Sequence, residues 1–329
     1  MFVGAPIGTE RGPLSRSVLV TGATGFLGGH IAAGLARTGA RVRCAIRQTS
    51  DTRWIDSLGV ETTELDLAKP GRESEKALRG IKTVIHCGGV TRASTAAEFH
   101  LVNADGTERL ATAAAEAGAS RFVFISSLAA RGPDGQDGPV SPYGRSKLEA
   151  EERLSRLRDH MDLVILRPGG VYGPRVSDLL PMFRMARRGF LVIPRSPAPL
   201  QPIFVDDVIE AVVRSASGPV PDVPLPLAER ARYGWTEVAR ALGEALGRRV
   251  RAIRVPYATF WTAGLLGELG SLLTRKAPAL DRRQARDFAR YSWTCDPSPT
   301  EAALDWKALV ALPDGLARTA SWYREVGWL

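Results

Sequence analysis

Eight residues, TGATGFLG (21–28), constrain this 329-residue chain more than any others. They follow a short apolar run, SVLVTG (17–22), and open GFLGGHIAAGLARTG, whose apolar spacing is helical. Gly22, Gly25 and Gly28 occupy the connection. Glycine permits a tight turn and lets a second backbone or a ligand come close. A helix that starts there offers unpaired N–H groups and the positive end of its dipole. Strand, glycine turn and helix in that order form a pyrophosphate cradle and predict a βαβ unit.

The rest of the first half keeps the same rhythm. RVRCAIR (41–47), VETTELD (60–66), KTVIHCG (82–88), RFVFISS (121–127) and DLVILRPG (162–169) read as buried strands. An Ala-rich helix is expected over 97–118 and another from Tyr143 to about Arg158. Such alternation predicts right-handed crossovers and a doubly wound parallel sheet of α/β class. After Val171 the rhythm breaks and proline becomes frequent, with helical patterns resuming at 206–216 and 235–246. We therefore divide the chain into a loose extension (1–16), a dinucleotide-binding domain (17–171) and a smaller, mostly helical substrate lobe (172–329). Within that lobe, 203–216 is expected to return to the core.

The end of the second strand bears on the choice of dinucleotide. NAD sites place an acid there to hold the adenosine ribose. Here that position is Arg47, and the first acid is Asp51. A guanidinium suits a 2′-phosphate, so NADP(H) is expected over NAD(H). Arg43 assists only if it faces the same side, and a solvated strand-end arginine is the plain alternative for Arg47. Thr24, Phe26 and Leu27 complete the contacts expected of the glycine loop. Asp66 and Leu67, after the third strand, are placed to meet adenine, although Asp66 equally suits a turn or cap.

Tyr143 and Lys147, in SPYGRSKLEAEERL, stand four apart and share one helix face. A free phenol has a pKa near 10, too high for acid–base work at neutral pH. A cation one turn away favours the phenolate. Beside a dinucleotide, the pair reads as a proton-transfer device next to a hydride carrier. Strand alternation lets only one of Ser126 and Ser127 face the ligand crevice. Asn103 lies in the long helix, where it holds a proton-relay water or simply packs.

Composition narrows the partners. Net charge is +9, with 38 Arg against 6 Lys, yet no basic run resembles a nucleic-acid arm. No nucleic-acid partner and no metal site are expected. Cys44, Cys87 and Cys295 lack metal-ligand spacing and read as free thiols in a reducing compartment. The first 16 residues have no continuous apolar core, which suggests no signal peptide and a cytoplasmic protein. The stretch 255–273 is the most apolar helical run, flanked by Arg249, Arg251, Arg254, Arg275 and Lys276. Interrupted by Gly264, Gly267, Glu268 and Gly270, it is too broken to span a membrane. It reads as a buried lobe helix in preference to a membrane-surface helix or a lid. Arg175, Met182, Phe183, Arg187 and Trp261 are candidates to line a substrate pocket.

Taken together, these motifs resemble the extended short-chain dehydrogenase/reductase superfamily over most of the chain. TGATGFLG matches its glycine motif, and VIHCGG its fourth-strand motif, with Cys87 and Gly88 where two alanines are frequent. VNADGT, FVFISS and YGRSK carry the Asn, the Ser, and the Tyr and Lys. RPGGVYGP (167–174) resembles the segment that contacts nicotinamide, which brings in Pro168 and Val171. IFVDDVIEAVV and the C-terminal SWTCDPSPTEAALDW and GLARTASWYREVGWL resemble its later motifs. The resemblance implies a Rossmann fold and a catalytic set of Ser127, Tyr143 and Lys147, with Asn103 as fourth member. It also implies a homodimer through the two long helices. Where nucleotide-sugar epimerases and dehydratases often carry an Arg before V-x-x-D-D, this chain has Gln201 and Pro202. It is closer in character to the dihydroflavonol reductase and 3β-hydroxysteroid dehydrogenase branch. An NADP(H)-dependent reductase or dehydrogenase of an apolar carbonyl or alcohol is expected, with an NAD-dependent epimerase or dehydratase as alternative and a dinucleotide sensor as the third.

Overall fold

The computed structural model describes residues 17–69, 73–93, 95–134, 137–195, 198–274 and 282–329. The expected extension 1–16, and Arg275 and Lys276, lie outside the described residues. Strands β1 (Ser17–Thr21), β2 (Arg41–Ile46), β3 (Glu61–Glu64), β4 (Thr83–His86), β5 (Arg121–Ile125) and β6 (Asp162–Pro168) lie where the sequence pattern puts them. Two short pairs follow: β7 (Val171–Tyr172) with β9 (Ile203–Phe204), and β8 (Phe190–Pro194) with β11 (Arg251–Val255). Leu225–Leu227 forms β10 and pairs with β6. The main sheet is thus seven-stranded and parallel, in the order β10-β6-β5-β4-β1-β2-β3. This is a Rossmann-type fold, with its topological switch between β1 and β4.

β10 is a departure from expectation, since 218 onward was assigned to the lobe. Its three residues, LPL, are too short to show a period and carry a central proline, which only a sheet edge accepts. Residues 203–216 do return to the core, but through a helix, because β9 pairs with β7 outside the main sheet.

The helices, in order, are α1 (Phe26–Arg37), α2 (Glu73–Leu78), α3 (Ala96–Phe99), α4 (Gly106–Glu116), α5 (Leu128–Arg131), α6 (Pro142–Leu154) and α7 (Leu180–Arg187). Then come α8 (Val205–Ser215), α9 (Trp235–Leu246), α10 (Tyr257–Thr274), α11 (Arg282–Arg290), α12 (Ser298–Leu304) and α13 (Leu312–Glu325). The expected helix over 97–118 is α3 and α4 joined by a wide π-helical stretch, His100–Asp105. Such widenings occur mostly at functional positions. α10 also departs from expectation: it is not a buried helix, since Leu266 is 68% exposed and Leu269 50%.

Strand alternation divides the core. Val18, Val20, Val123 and Ile125 join one apolar cluster, while Leu19, Phe122 and Phe124 join the other, on the opposite face. Helix α8 closes the first face, and its Asp207 ties down the C-terminal segment. The Asp207 carboxylate accepts the N–H groups of Leu309 (2.9 Å) and Val310 (3.1 Å), and its carbonyl accepts Trp306 Nε1 (3.0 Å). The second acid of the V-D-D motif is therefore a clamp. Asp207→Ala leaves two N–H groups without their acceptor and should lower unfolding free energy by ~2–4 kcal/mol in denaturant titration. Dinucleotide affinity of the folded variant should not change.

Candidate active site

Two close backbone approaches build the cleft at the switch point. Gly22 has φ +66°, and a Cβ there would lie 2.8 Å from the Cys87 carbonyl at the end of β4. A Cβ on Gly28 would lie 2.2 Å from the Gly22 carbonyl oxygen. Only glycines let α1 start directly over the end of β1. Gly25, the N-cap, supplies no side-chain cap, and the first turn of α1 carries no acid. Its leading N–H groups therefore face the cleft lined by Gly22, Gly25, Phe26, Leu27 and Gly28.

The candidate proton-transfer residues lie on α6 and just past the end of β5. Pro142 opens α6, and the Ser141 hydroxyl caps it by accepting the Gly144 N–H at 3.0 Å. Gly144 lets α6 approach α5, because a Cβ there would lie 2.3 Å from the Ala129 carbonyl oxygen. Tyr143 is thereby brought beside Ser127, and both line the two cavities. Ser126 Oγ bonds the Glu151 carboxylate, and of the two serines only Ser127 lines the substrate cavity as well as the cofactor cleft.

Lys147 is 5% exposed; its Nζ donates to the Ile125 carbonyl at 2.9 Å and stands 4.5 Å above the Phe124 ring. Burial lowers its pKa to about 8, against smaller opposing effects of Cys87 and Glu151. Burial also pushes the Tyr143 phenol up, opposed by the Ser127 hydroxyl beside it. The expected depression of the phenol by Lys147 does not set this balance. Desolvation outweighs the lysine, whose charge is directed at the end of β5.

Asn103 is fully buried in the π-helical turn. Its amide brackets the Val90 backbone, accepting from N–H (2.8 Å) and donating to C=O (3.0 Å). It also donates to Ser146 Oγ (3.0 Å), which donates to the Tyr143 carbonyl (2.8 Å). Asn103 thus packs and positions α6 from below.

Sequence reading missed two polar groupings. One is a chain under the cleft: Thr107 donates to the Asn103 carbonyl (2.7 Å), so His86 Nε2–H must donate to Thr107 (2.9 Å). His86 Nδ1 then accepts from Thr21 (2.6 Å), whose oxygen accepts the Gly88 N–H (3.0 Å). Burial lowers His86 to about 3, so the ring is neutral, as this pattern requires. The other is the Glu151–Arg167 pair, with Nε–Oε1 at 3.0 Å, joined by Ser126. Glu151 stands four residues after Lys147, and that spacing was the available signal.

The cofactor candidates divide. Gly22, Gly25, Phe26, Leu27, Gly28, Lys147, Pro168 and Val171 share one cleft, and Thr24 sits in its loop. Arg47, Asp66 and Leu67 lie beyond it, past the ends of β2 and β3. Arg47 is exposed, and no ion pair joins its side chain to a described residue. Arg43 is not available beside it, since it bonds the Ala77 and Arg79 carbonyls and Glu61. Asp66 caps its own turn by accepting the Ala68 N–H at 3.0 Å.

Arg175 proves to be a cleft residue instead of a substrate-pocket residue. Its φ is +71°, its guanidinium lies 4.7 Å over the Trp54 ring, and its buried Nη1 has no hydrogen-bond partner among the described residues. A buried donor in a glycine-built cradle fits the phosphates of a dinucleotide. Phe183 also leaves the pocket set, fully buried against Tyr323, while Arg187 and Trp261 are surface residues and Met182 does line the pocket.

A second cavity, of about 520 Å³, opens on the other side of Tyr143. It shares Ser127, Tyr143, Pro168 and Val171 with the cofactor cleft. Its wall is mainly apolar, with Leu179, Met182, Leu200, Trp235, Val238 and Trp293. Among the described residues Arg92 is its single charged lining residue, and it pairs with Asp178 at 2.8 Å. Gln201 is engaged, donating to the Glu229 carbonyl and accepting the Cys295 N–H at 2.7 Å. No His, Cys or carboxylate group capable of holding a metal occurs among the described residues.

Two predictions follow from these charges. Lys147 has a folded pKa below its unfolded value, so its penalty is complete below about pH 8 and fades as pH rises toward 10.5. Lys147→Met should therefore stabilise the dinucleotide-free protein by roughly 2–3 kcal/mol at pH 7, with no gain near pH 11, while abolishing turnover. Thermal melts across pH read this directly. Arg175→Met should weaken dinucleotide binding about tenfold or more in calorimetry, since a charge-assisted hydrogen bond is worth ~1.5–3 kcal/mol.

Comparison with known proteins agrees with this geometry. Residues 18–222 match the NAD dependent epimerase/dehydratase family. The chain is 35% identical to a ceramide reductase of Caulobacter vibrioides over 314 residues, covering 95% of this chain and 96% of that protein. It is 26% identical to a UDP-glucose 4-epimerase of Vibrio cholerae, covering 93% and 95%. A Thermotoga maritima UDP-glucose 4-epimerase, solved with UDP-glucose, superposes with a TM-score of 0.75 at 19% identity, over 94% of this chain and 99% of that one. The chain belongs to the NAD-dependent epimerase/dehydratase family and is an NAD(P)-dependent oxidoreductase.

Proposed function

We propose that this protein is a reductase of a ketone or aldehyde on a long-chain, apolar molecule, with NADP(H) preferred. The observation that carries the reading is the wall of the substrate cavity. A nucleotide sugar brings two phosphates, which need cationic or N–H partners. Here the only charged lining side chain among the described residues, Arg92, is paired with Asp178, and Gln201 is held by backbone groups. An acyl or alkyl chain needs none of these and gains from the apolar wall. Full-length similarity to a ceramide reductase supports the same substrate class. Arg47, exposed with no acid beside it at the end of β2, supports the 2′-phosphate.

The reaction is divided among the residues where the two cavities meet. When bound, the reduced nicotinamide supplies the hydride that the carbonyl carbon takes up. Tyr143 gives its phenolic proton to the carbonyl oxygen, which completes the alcohol. Ser127 holds that oxygen by hydrogen bonding. Burial keeps the phenol protonated through neutral pH, which suits the acid role of the reductive direction. Lys147, bonded to the Ile125 carbonyl, supplies a cation at the base of the cofactor cleft. Asn103, through Ser146, keeps Tyr143 in register. Association of two copies through α4 and α6 remains part of this proposal.

A substrate panel tests the reading. NADPH should be oxidised with long-chain ketones, and Tyr143→Phe should cut that rate by ~10²–10⁴ while leaving dinucleotide binding intact. Arg47→Ala should reduce the preference for NADPH over NADH about tenfold, the worth of one phosphate contact. Conversion of a UDP-sugar with no net nicotinamide oxidation would overturn the proposal.

A further inference from the structure

Beside the mouth of the apolar cavity stands a helical hairpin, α10 packed on α11. Helix α10 contains one charged residue, Glu268, and that carboxylate faces α11, where it binds Arg282 at 2.8 Å. Its outward face is uncharged. Ala258, Thr262, Leu266 and Leu269 are exposed along one helical stripe, with exposed Trp261 at its edge toward α11, where Arg282 stacks on it. Leu266 is 68% exposed, Leu269 50% and Trp261 38%. A soluble chain seldom leaves a stripe of this kind in water without a partner.

Arginines rim the stripe, Arg282 among them paired with Glu268. Arg282 lies 5.7 Å over the Trp261 ring, and Arg290 lies 4.8 Å over the Tyr257 ring. β11, which leads into α10, adds exposed Arg251 and Arg254 and the 41% exposed Ile253. The hairpin is fastened to the pocket rim: Arg286 donates to the Val140 carbonyl at 3.3 Å, next to the lining residue Ser141. Trp293, three residues after α11, lines the cavity itself.

We propose that this hairpin is a docking surface for an anionic phospholipid bilayer, lying in the interface with its uncharged stripe in the acyl boundary. Exposed leucines and a tryptophan ringed by arginines are what such a boundary recognises: apolar area beneath, anionic headgroups around it. The net charge of +9 favours approach to that surface. No helix of the described residues is long and apolar enough to cross a membrane, so the contact is peripheral. Charge also argues against a second copy as the occupant, because a twofold interface would set the two arginine rims against each other. On the reductase reading above, docking brings the cavity mouth to the phase that holds long-chain substrates.

Vesicle co-sedimentation tests the docking without any turnover, so it stands or falls apart from the substrate reading. The full chain should sediment with vesicles of phosphatidylglycerol and phosphatidylcholine in equal parts, and weakly with phosphatidylcholine alone. Binding should fall steeply at about 0.5 M salt, where charges are screened. Leu266→Glu combined with Leu269→Glu should lower the partition coefficient about tenfold or more, through lost apolar burial and added repulsion. The same variant should turn over a short, water-soluble ketone at the wild-type rate and keep the wild-type circular dichroism. Wild-type protein that stays in the supernatant, or a double variant that binds as well as wild type, overturns the proposal. A variant that instead loses concentration-dependent self-association in sedimentation velocity, with no vesicle binding by either protein, assigns the stripe to a second copy and equally overturns it.

Discussion

The site depends on one close backbone seat. The carbonyl of Gly22 occupies the space that a side chain on Gly28 would need, and Gly22 itself presses on the carbonyl of Cys87. This pair of approaches seats α1 on the end of β1 and holds β1 against β4. The sheet order reverses there, so helices leave to opposite faces and a crevice opens between them. Everything catalytic is placed relative to that crevice. β5 lies next to β4 and delivers Ser127 to its edge, and α6 then crosses to set Tyr143 against Ser127.

Polar groups beneath the crevice hold this arrangement at an electrostatic cost. Lys147 and His86 are both buried, and desolvation works against charge on each. His86 answers by staying neutral within a chain of four hydrogen-bonding partners that links β1, β4 and α4. Lys147 keeps its hydrogen bond to β5 and lies near the carboxylate of Glu151, which Arg167 and Ser126 hold in turn. A buried ion pair contributes little net stability, but losing one partner leaves a charge stranded. Glu151 and Arg167 therefore matter as fixtures of α6 more than as sources of folding energy. A lysine stands where an apolar residue would fit better, which makes it a candidate functional group.

How much of this was legible from the chain varies with the range of the interaction. The glycine loop, the alternation of strands and the Tyr143–Lys147 spacing are local patterns, and β1 to β6 and α6 follow from them. Ser127 was preferred to Ser126 by family resemblance; strand phase alone leaves the choice open, because the facing of β5 requires the packed sheet. β10 was hidden because three residues with a proline show no period. Arg43 and Arg175 read alike in sequence, yet one is tied to α2 and the other lies in the cleft. Such outcomes are decided by which elements pack together, and no local pattern encodes them. The direction of the Tyr143 shift was misread for the same reason: a charge one turn away is visible in sequence, whereas burial is not.

That shift bears on the chemistry. A tyrosine that serves as a base must lose its proton before substrate arrives, which favours a strong cation and a wet environment. A tyrosine that serves as an acid must keep it. Here burial favours the neutral phenol. It also lowers Lys147, so the cation beside it is itself readily discharged above neutral pH. An apolar cavity wall on the other side of the ring keeps water sparse and reinforces the same bias. The features that make the pocket hospitable to a long hydrocarbon chain are therefore the ones that hold Tyr143 in its proton-donating form. On the reductase reading proposed above, one physical cause, burial at the border between the two cavities, favours both an apolar substrate and a proton-donating Tyr143.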